Sequence, residues 1–141
     1  MNQKTISEDS GQLHEGLLII RILIGITFII HGFPKLTGGI ETWTFLGGTM
    51  KIVAIDFMPA FWGFLCAIAE FLGGIFLALG LFTRISAAAL LLTMLMATLF
   101  HLTNGDSFDT ASHAIEDGIL FLGFIYMGAG KYSLDYRMSQ K

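Results

Sequence analysis

The stretch "PAFWGFLCAIAEFLGGIFLALGLF", residues 59–82, decides the fold of this chain, because Glu70 is the one charged side chain in it. A helix needs about 20 apolar residues to cross the hydrocarbon core of a bilayer, and the stretch is long enough. A glutamate near the bilayer centre costs on the order of 2.5–3.5 kcal/mol by insertion scales, so it is either protonated or partnered. Small residues surround it on the helical surface: Gly63, Ala67, Gly73 and Gly74 fall at offsets −7, −3, +3 and +4. Small residues admit a second helix at close range, so Glu70 is expected to face a helix seam and not lipid.

The remainder of the chain has the same character. Hydrophobic residues make up 54% of it and charged residues 13%, about half the charge of an ordinary soluble domain. Four apolar segments, near 15–33, 60–82, 85–101 and 113–129, predict an all-α integral membrane four-helix bundle. Short links between the later segments make neighbours antiparallel, which gives an up-down-up-down order. The longer link 36–59 contains Trp43, Phe45 and Phe57, and suits a short helix lying in the membrane interface. The domain reading is a polar tail over 1–14, a membrane domain over 15–135 and a second polar tail over 136–141. "SEDSGQLHE" before the first span lacks the basic region of a signal peptide, so that span is expected to remain as an anchor.

Charge supplies an orientation. Lys4, Arg84, Lys131, Arg137 and Lys141 fall on the side of both termini, against Lys35 and Lys51 on the other. That asymmetry predicts cytoplasmic termini in the inner (plasma) membrane. The net charge of −3 implies no nucleic-acid partner, and the single Cys66 excludes an internal disulfide.

The expected partner of Glu70 is Arg21 in "LLIIRILIG". Counted from Lys35 and Pro59, the two lie roughly 21 and 16 Å from one membrane face, within reach of an arginine side chain. Such a pair either fixes helix packing or holds a proton or polar substrate. Cys66, one turn from Glu70, is an isolated thiol in apolar surroundings, which is usually inert.

A second polar group is expected at the far face: His31, Lys35, His101 and His113, with Glu116 and Asp117 following in "HAIEDG". Continuity of the first helix through "HGFPK" is doubtful at Pro34, which disfavours helix at Phe33. Three imidazoles and a carboxylate have the chemistry for zinc or iron. Di-iron bundles, however, use a Glu-x-x-His from each of two helices, which this sequence does not reproduce, and no metal is assigned. An amphiphile such as a quinone fits better, since histidine and carboxylate together exchange protons with it. No phosphate loop, CxxC, haem motif or nucleophile elbow is present.

The chain resembles the DoxX family of small four-helix membrane proteins. The resemblance rests on "RILIGITFIIHGFPKL", "AEFLGGIFLALGLFTRISA", "MATLFHL" and "GAGKYSLD", with Arg21, Gly32, Lys35, Glu70, Gly73, Gly74, Gly80, Thr83, Arg84, His101 and Asp135 in place. It implies an integral membrane oxidoreductase subunit, since the family takes its name from the small subunit of a terminal quinol oxidase and thiosulfate:quinone oxidoreductase. On that reading Glu70, Arg21, His101 and Glu116 are the candidate catalytic groups, and His31, Lys35 and His113 the candidate quinone-binding groups. Electrons would come through redox partner subunits. A proton-coupled transporter with Glu70 as carrier and a non-catalytic scaffold are the alternatives, and the small-residue face permits a homodimer.

Overall fold

The structure, a computed structural model, describes the backbone of residues 3–141 and the side chains from residue 11 onward. Helix α1 runs Gln3–Thr37, α2 Gly39–Gly48, α3 Pro59–Leu79, α4 Thr83–Thr103, α5 Phe108–Met127 and α6 Leu134–Ser139, with a 3-10 turn over Thr49–Val53. No strand occurs among the described residues. The segment read as an N-terminal tail is helical from Gln3; Met1, Asn2 and the side chain of Lys4 lie outside the described part.

Three helices are long and apolar enough to cross a membrane: Gly11–Thr37 of α1, α3 and α4. Helix α5 has comparable length, but its first half carries Asp109, His113, Glu116 and Asp117, so its apolar stretch is shorter than the fourth span expected from the sequence. All four long helices nevertheless contribute to one core, in which Leu17 and Phe28, Leu77, Leu90 and Met94, and Phe121 and Phe124 are buried together. Phe28 and Phe121 meet edge to face at 4.9 Å, which ties α1 to α5. The outward surfaces are apolar: Ile19, Leu23 and Ile30 on α1, Leu92 on α4 and Ile119 on α5 are all exposed. A solvent of hydrocarbon explains that pattern.

Two glycine seams set the spacing. On α1, a Cβ at Gly25 would stand 2.7 Å from the Gly74 carbonyl oxygen of α3, and one at Gly74 would stand 2.7 Å from that of Gly25. The backbones touch there, as small residues permit. At the α2–α3 crossing, a Cβ at Gly47 would strike the Pro59 carbonyl, and one at Gly63 would strike that of Trp43. The sequence-predicted short helix of the 36–59 link is therefore α2, folded back on the start of α3.

Local chemistry explains the ends. Pro59 opens α3, where its missing N–H is no loss. Gly80 closes it at φ 67°, with Gly80 and Leu81 donating to Leu77 and Phe76 carbonyls. Pro34 does not end α1: the helix continues to Thr37, so His31 and Lys35 do lie one turn apart on a single helix.

Candidate functional site

Glu70 faces the α1 seam, as its small neighbours predict, but its partner is Lys35. The Lys35 Nζ donates to both carboxylate oxygens, at 2.7 and 2.6 Å. The Glu70 side chain is 3% exposed and that of Lys35 32%. Lys35 sits in the last turn of α1, and the Trp43 indole of α2 donates to its carbonyl oxygen at 3.0 Å. The Cys66 thiol lies 3.9 Å from Glu70 Oε1, one turn earlier on α3.

The expected Arg21–Glu70 pair does not form. Gly25 lies against Gly74 and Ala78, and Gly32 against Glu70 and Phe71, so Arg21 comes level with Gly80. The eleven residues from Arg21 to Gly32 amount to about 16 Å of helix. Counting from Lys35 and Pro59 as if both marked one membrane face misplaced the register. Helix α3 begins well beyond the end of α1, and its first turns are covered by α2.

Arg21 is instead the anchor of the other end. Buried to 1% exposure, it donates through Nη1 to the Ala129 carbonyl at 2.6 Å and through Nη2 to the Tyr132 carbonyl at 2.7 Å. It also packs against Gly80, where any Cβ would lie 2.6 Å from the guanidinium carbon. Asp135 completes the clamp. Its two oxygens accept from the Phe82 and Thr83 N–H groups at 2.7 and 2.8 Å, and so cap α4 from a distant part of the chain. Asp135 N–H donates in turn to the Gly80 carbonyl at 2.9 Å. Arg21, Gly80, Thr83 and Asp135, which carried much of the family resemblance, thus converge on one structural knot. Sequence reasoning had no signal for it, because the acceptors are backbone carbonyls.

The histidine group is divided. His101 Nδ1 pairs with Asp106 Oδ2 at 2.8 Å, within the turn that follows α4. His31 and His113 lie near the Asp117 carboxyl, and Glu116 neighbours it on the same helix. His31, His113 and Glu116 are exposed. No set of three His, Cys, Asp or Glu side chains among the described residues could hold a metal ion. The structure therefore sets out a buried Glu70 paired with a half-buried Lys35, the exposed His31 and His113 beside a half-buried Asp117, and a His101–Asp106 pair.

Helices with lipid-facing surfaces, packed through glycine seams around an intramembrane ion pair, define a small integral membrane protein. The chain belongs to the DoxX family, whose profile matches residues 16–102. An Escherichia coli (strain K12) protein named "Inner membrane protein YqjF" is 31% identical over 131 residues, covering 89% of this chain and 94% of that one. An uncharacterized Haemophilus influenzae protein is 32% identical over 138 residues, covering 89% and 92%. A Bacillus subtilis (strain 168) protein named "Putative oxidoreductase CatD" is 32% identical over 82 residues; the match spans 58% of this chain and 56% of that relative. No solved structure matches.

Proposed function

We propose that this chain is a subunit of an inner-membrane oxidoreductase, a four-helix, up-down-up-down bundle with cytoplasmic termini, in which Lys35 and Glu70 receive the head group of a quinone. The observation that carries the reading is the donor count at Lys35. An ammonium has three N–H donors; two go to Glu70, and the third meets no acceptor among the described residues, on a side chain 32% exposed at the last turn of a membrane helix. A quinone carbonyl oxygen matches that donor, and its apolar tail matches the surrounding lipid-facing surface.

A quinone supplies two-electron, two-proton chemistry, with the electrons exchanged with a redox partner protein. Lys35 would hold and orient the carbonyl oxygen of a bound quinone and would be the group that keeps a proton beside it. Glu70, held against Lys35, balances the charge of the ammonium and would keep it in place against the head group. His31, one turn away on α1, stands near Asp117 and His113. The Cys66 thiol has the Glu70 carboxylate as its hydrogen-bond partner, and the reading assigns it no electron transfer. Support also comes from the name of the Bacillus relative and from the charge asymmetry of the sequence, with Lys4, Arg84, Lys131, Arg137 and Lys141 assigned to the side of the termini against Lys35 and Lys51, which Glu41, Asp56, Asp106 and Asp109 accompany.

The test is quinone content after extraction of the full chain with native lipids. Wild-type protein is expected to retain quinone, and Lys35→Met and Glu70→Gln to lose at least tenfold of it. His101→Asn should retain it, because His101 pairs with Asp106 and not with Glu70. Retention by Lys35→Met at the wild-type level, or no quinone in any folded preparation, refutes the reading.

A further inference from the structure

At the end opposite Lys35, a cleft of about 640 Å³ opens between the start of α4, the segment 127–136 and the α1 turn that contains His14. Its charged wall is made by Arg84 and Lys131. Neither forms an ion pair among the described residues; Arg84 reaches only the Tyr126 carbonyl, at 3.5 Å. Among the described residues the one carboxylate in the lining, Asp135, has both oxygens occupied by the Phe82 and Thr83 N–H groups. With histidine counted as neutral, the lining carries two positive charges against one negative.

Two further observations point to a ligand. Thr83, 0% exposed, lines the cleft with a hydroxyl that has no hydrogen-bond partner among the described residues, and His14 Nδ1 is likewise buried and unpartnered among them. Buried polar atoms of this kind are normally satisfied. The rim, in contrast, is apolar and exposed: Phe82 at 53%, Ile85 at 70% and Met127 at 53%. Cations at the membrane edge beside an apolar rim suit a molecule with an anionic head and a hydrocarbon tail.

We propose that this cleft binds a phosphate group, with Arg84 and Lys131 as its charge partners. The apolar rim selects the phosphate of an anionic lipid over a soluble one. Arg84 offers the planar fork that matches phosphate geometry, while Lys131 adds a point charge. The site lies at the far end of the molecule from the Lys35–Glu70 pair and is independent of the quinone reading.

The experiment reads lipid retention by the full detergent-solubilised chain in native mass spectrometry, with phosphatidylglycerol, phosphatidylcholine and inorganic phosphate offered separately. Retention of phosphatidylglycerol over phosphatidylcholine is expected, falling at least fivefold in Arg84→Gln/Lys131→Gln and unchanged in Lys51→Gln, a cation elsewhere in the fold. If inorganic phosphate binds with the same Arg84 dependence and phosphatidylglycerol does not, the phosphate site stands and its source is soluble. Equal retention of both lipids, or phosphatidylglycerol retention indifferent to the double variant, overturns the site. Should the double variant fail to fold, Arg84→Lys and Lys131→Gln are read singly. Each is expected to lower phosphatidylglycerol retention at least twofold, and wild-type retention by both overturns the site in the same way.

Discussion

Removing one member of the Lys35–Glu70 pair should cost very different amounts depending on which member goes. Lys35→Met leaves a carboxylate that is 3% exposed with no cation to meet it. Breaking a buried pair in that way costs about 3–5 kcal/mol, or forces the group to take up a proton. Glu70→Gln leaves the cation instead, but Lys35 is 32% exposed and can extend toward the interface. Its loss is that of charge-assisted hydrogen bonds partly replaced by water and by the amide oxygen, about 1–2 kcal/mol. The double variant Lys35→Met/Glu70→Gln carries no stranded charge and should lie within about 1–2 kcal/mol of Glu70→Gln. Reversible unfolding of the three variants in one detergent gives the complete cycle, and the coupling energy follows from it. The reasoning is refuted if Glu70→Gln is as destabilising as Lys35→Met, or if the two losses simply add.

Arg21→Met should destabilise the chain by about 2–4 kcal/mol, since it strips two charge-assisted bonds from the Ala129 and Tyr132 carbonyls; limited proteolysis is expected to cut the segment 128–141 faster than in the wild type. Gly74→Leu should cost about 3 kcal/mol or more, because any side chain meets the Gly25 carbonyl and the Ile29 amide of α1; thermal unfolding checks it, and Gly48→Leu, with open space at its Cβ position, is the matched control.

Much of the fold is legible in the residues, for identifiable reasons. The bilayer leaves a long apolar run few alternatives to helix, so α1, α3 and α4 follow from composition and length alone. Gly63, Ala67, Gly73 and Gly74 correctly place the buried face around Glu70, because a glycine row leaves only one side where helices can touch. The partner of Glu70 was not legible. Its identity depends on the vertical register of α1 against α3, and that register is set by where Gly25 meets Gly74. Composition cannot report such a coordinate. The role of Arg21 was hidden for a related reason: its acceptors are main-chain oxygens that any residue supplies. The histidines were grouped by counting spans to a common face, which yields depth but not azimuth. His101 was therefore placed with His31 and His113, although a local acid, Asp106, holds it within its own turn.

The knot at Arg21 also bears on how the protein is made. Its two acceptors lie 108 and 111 positions later in the chain, and the Asp135 carboxylate that caps α4 lies 53 and 52 positions after the Phe82 and Thr83 amides it accepts from. During N-to-C synthesis the first helix enters the bilayer with a guanidinium whose acceptors have not yet been translated. Until residues near 129–135 emerge, that cation must be tended by water or lipid head groups, and the start of α4 waits for its carboxylate. The Gly25–Gly74 seam and the Lys35–Glu70 pair can form before that point, so the segment 129–135 finishes one end of the molecule, where it supplies Arg21 with its acceptors and α4 with its cap.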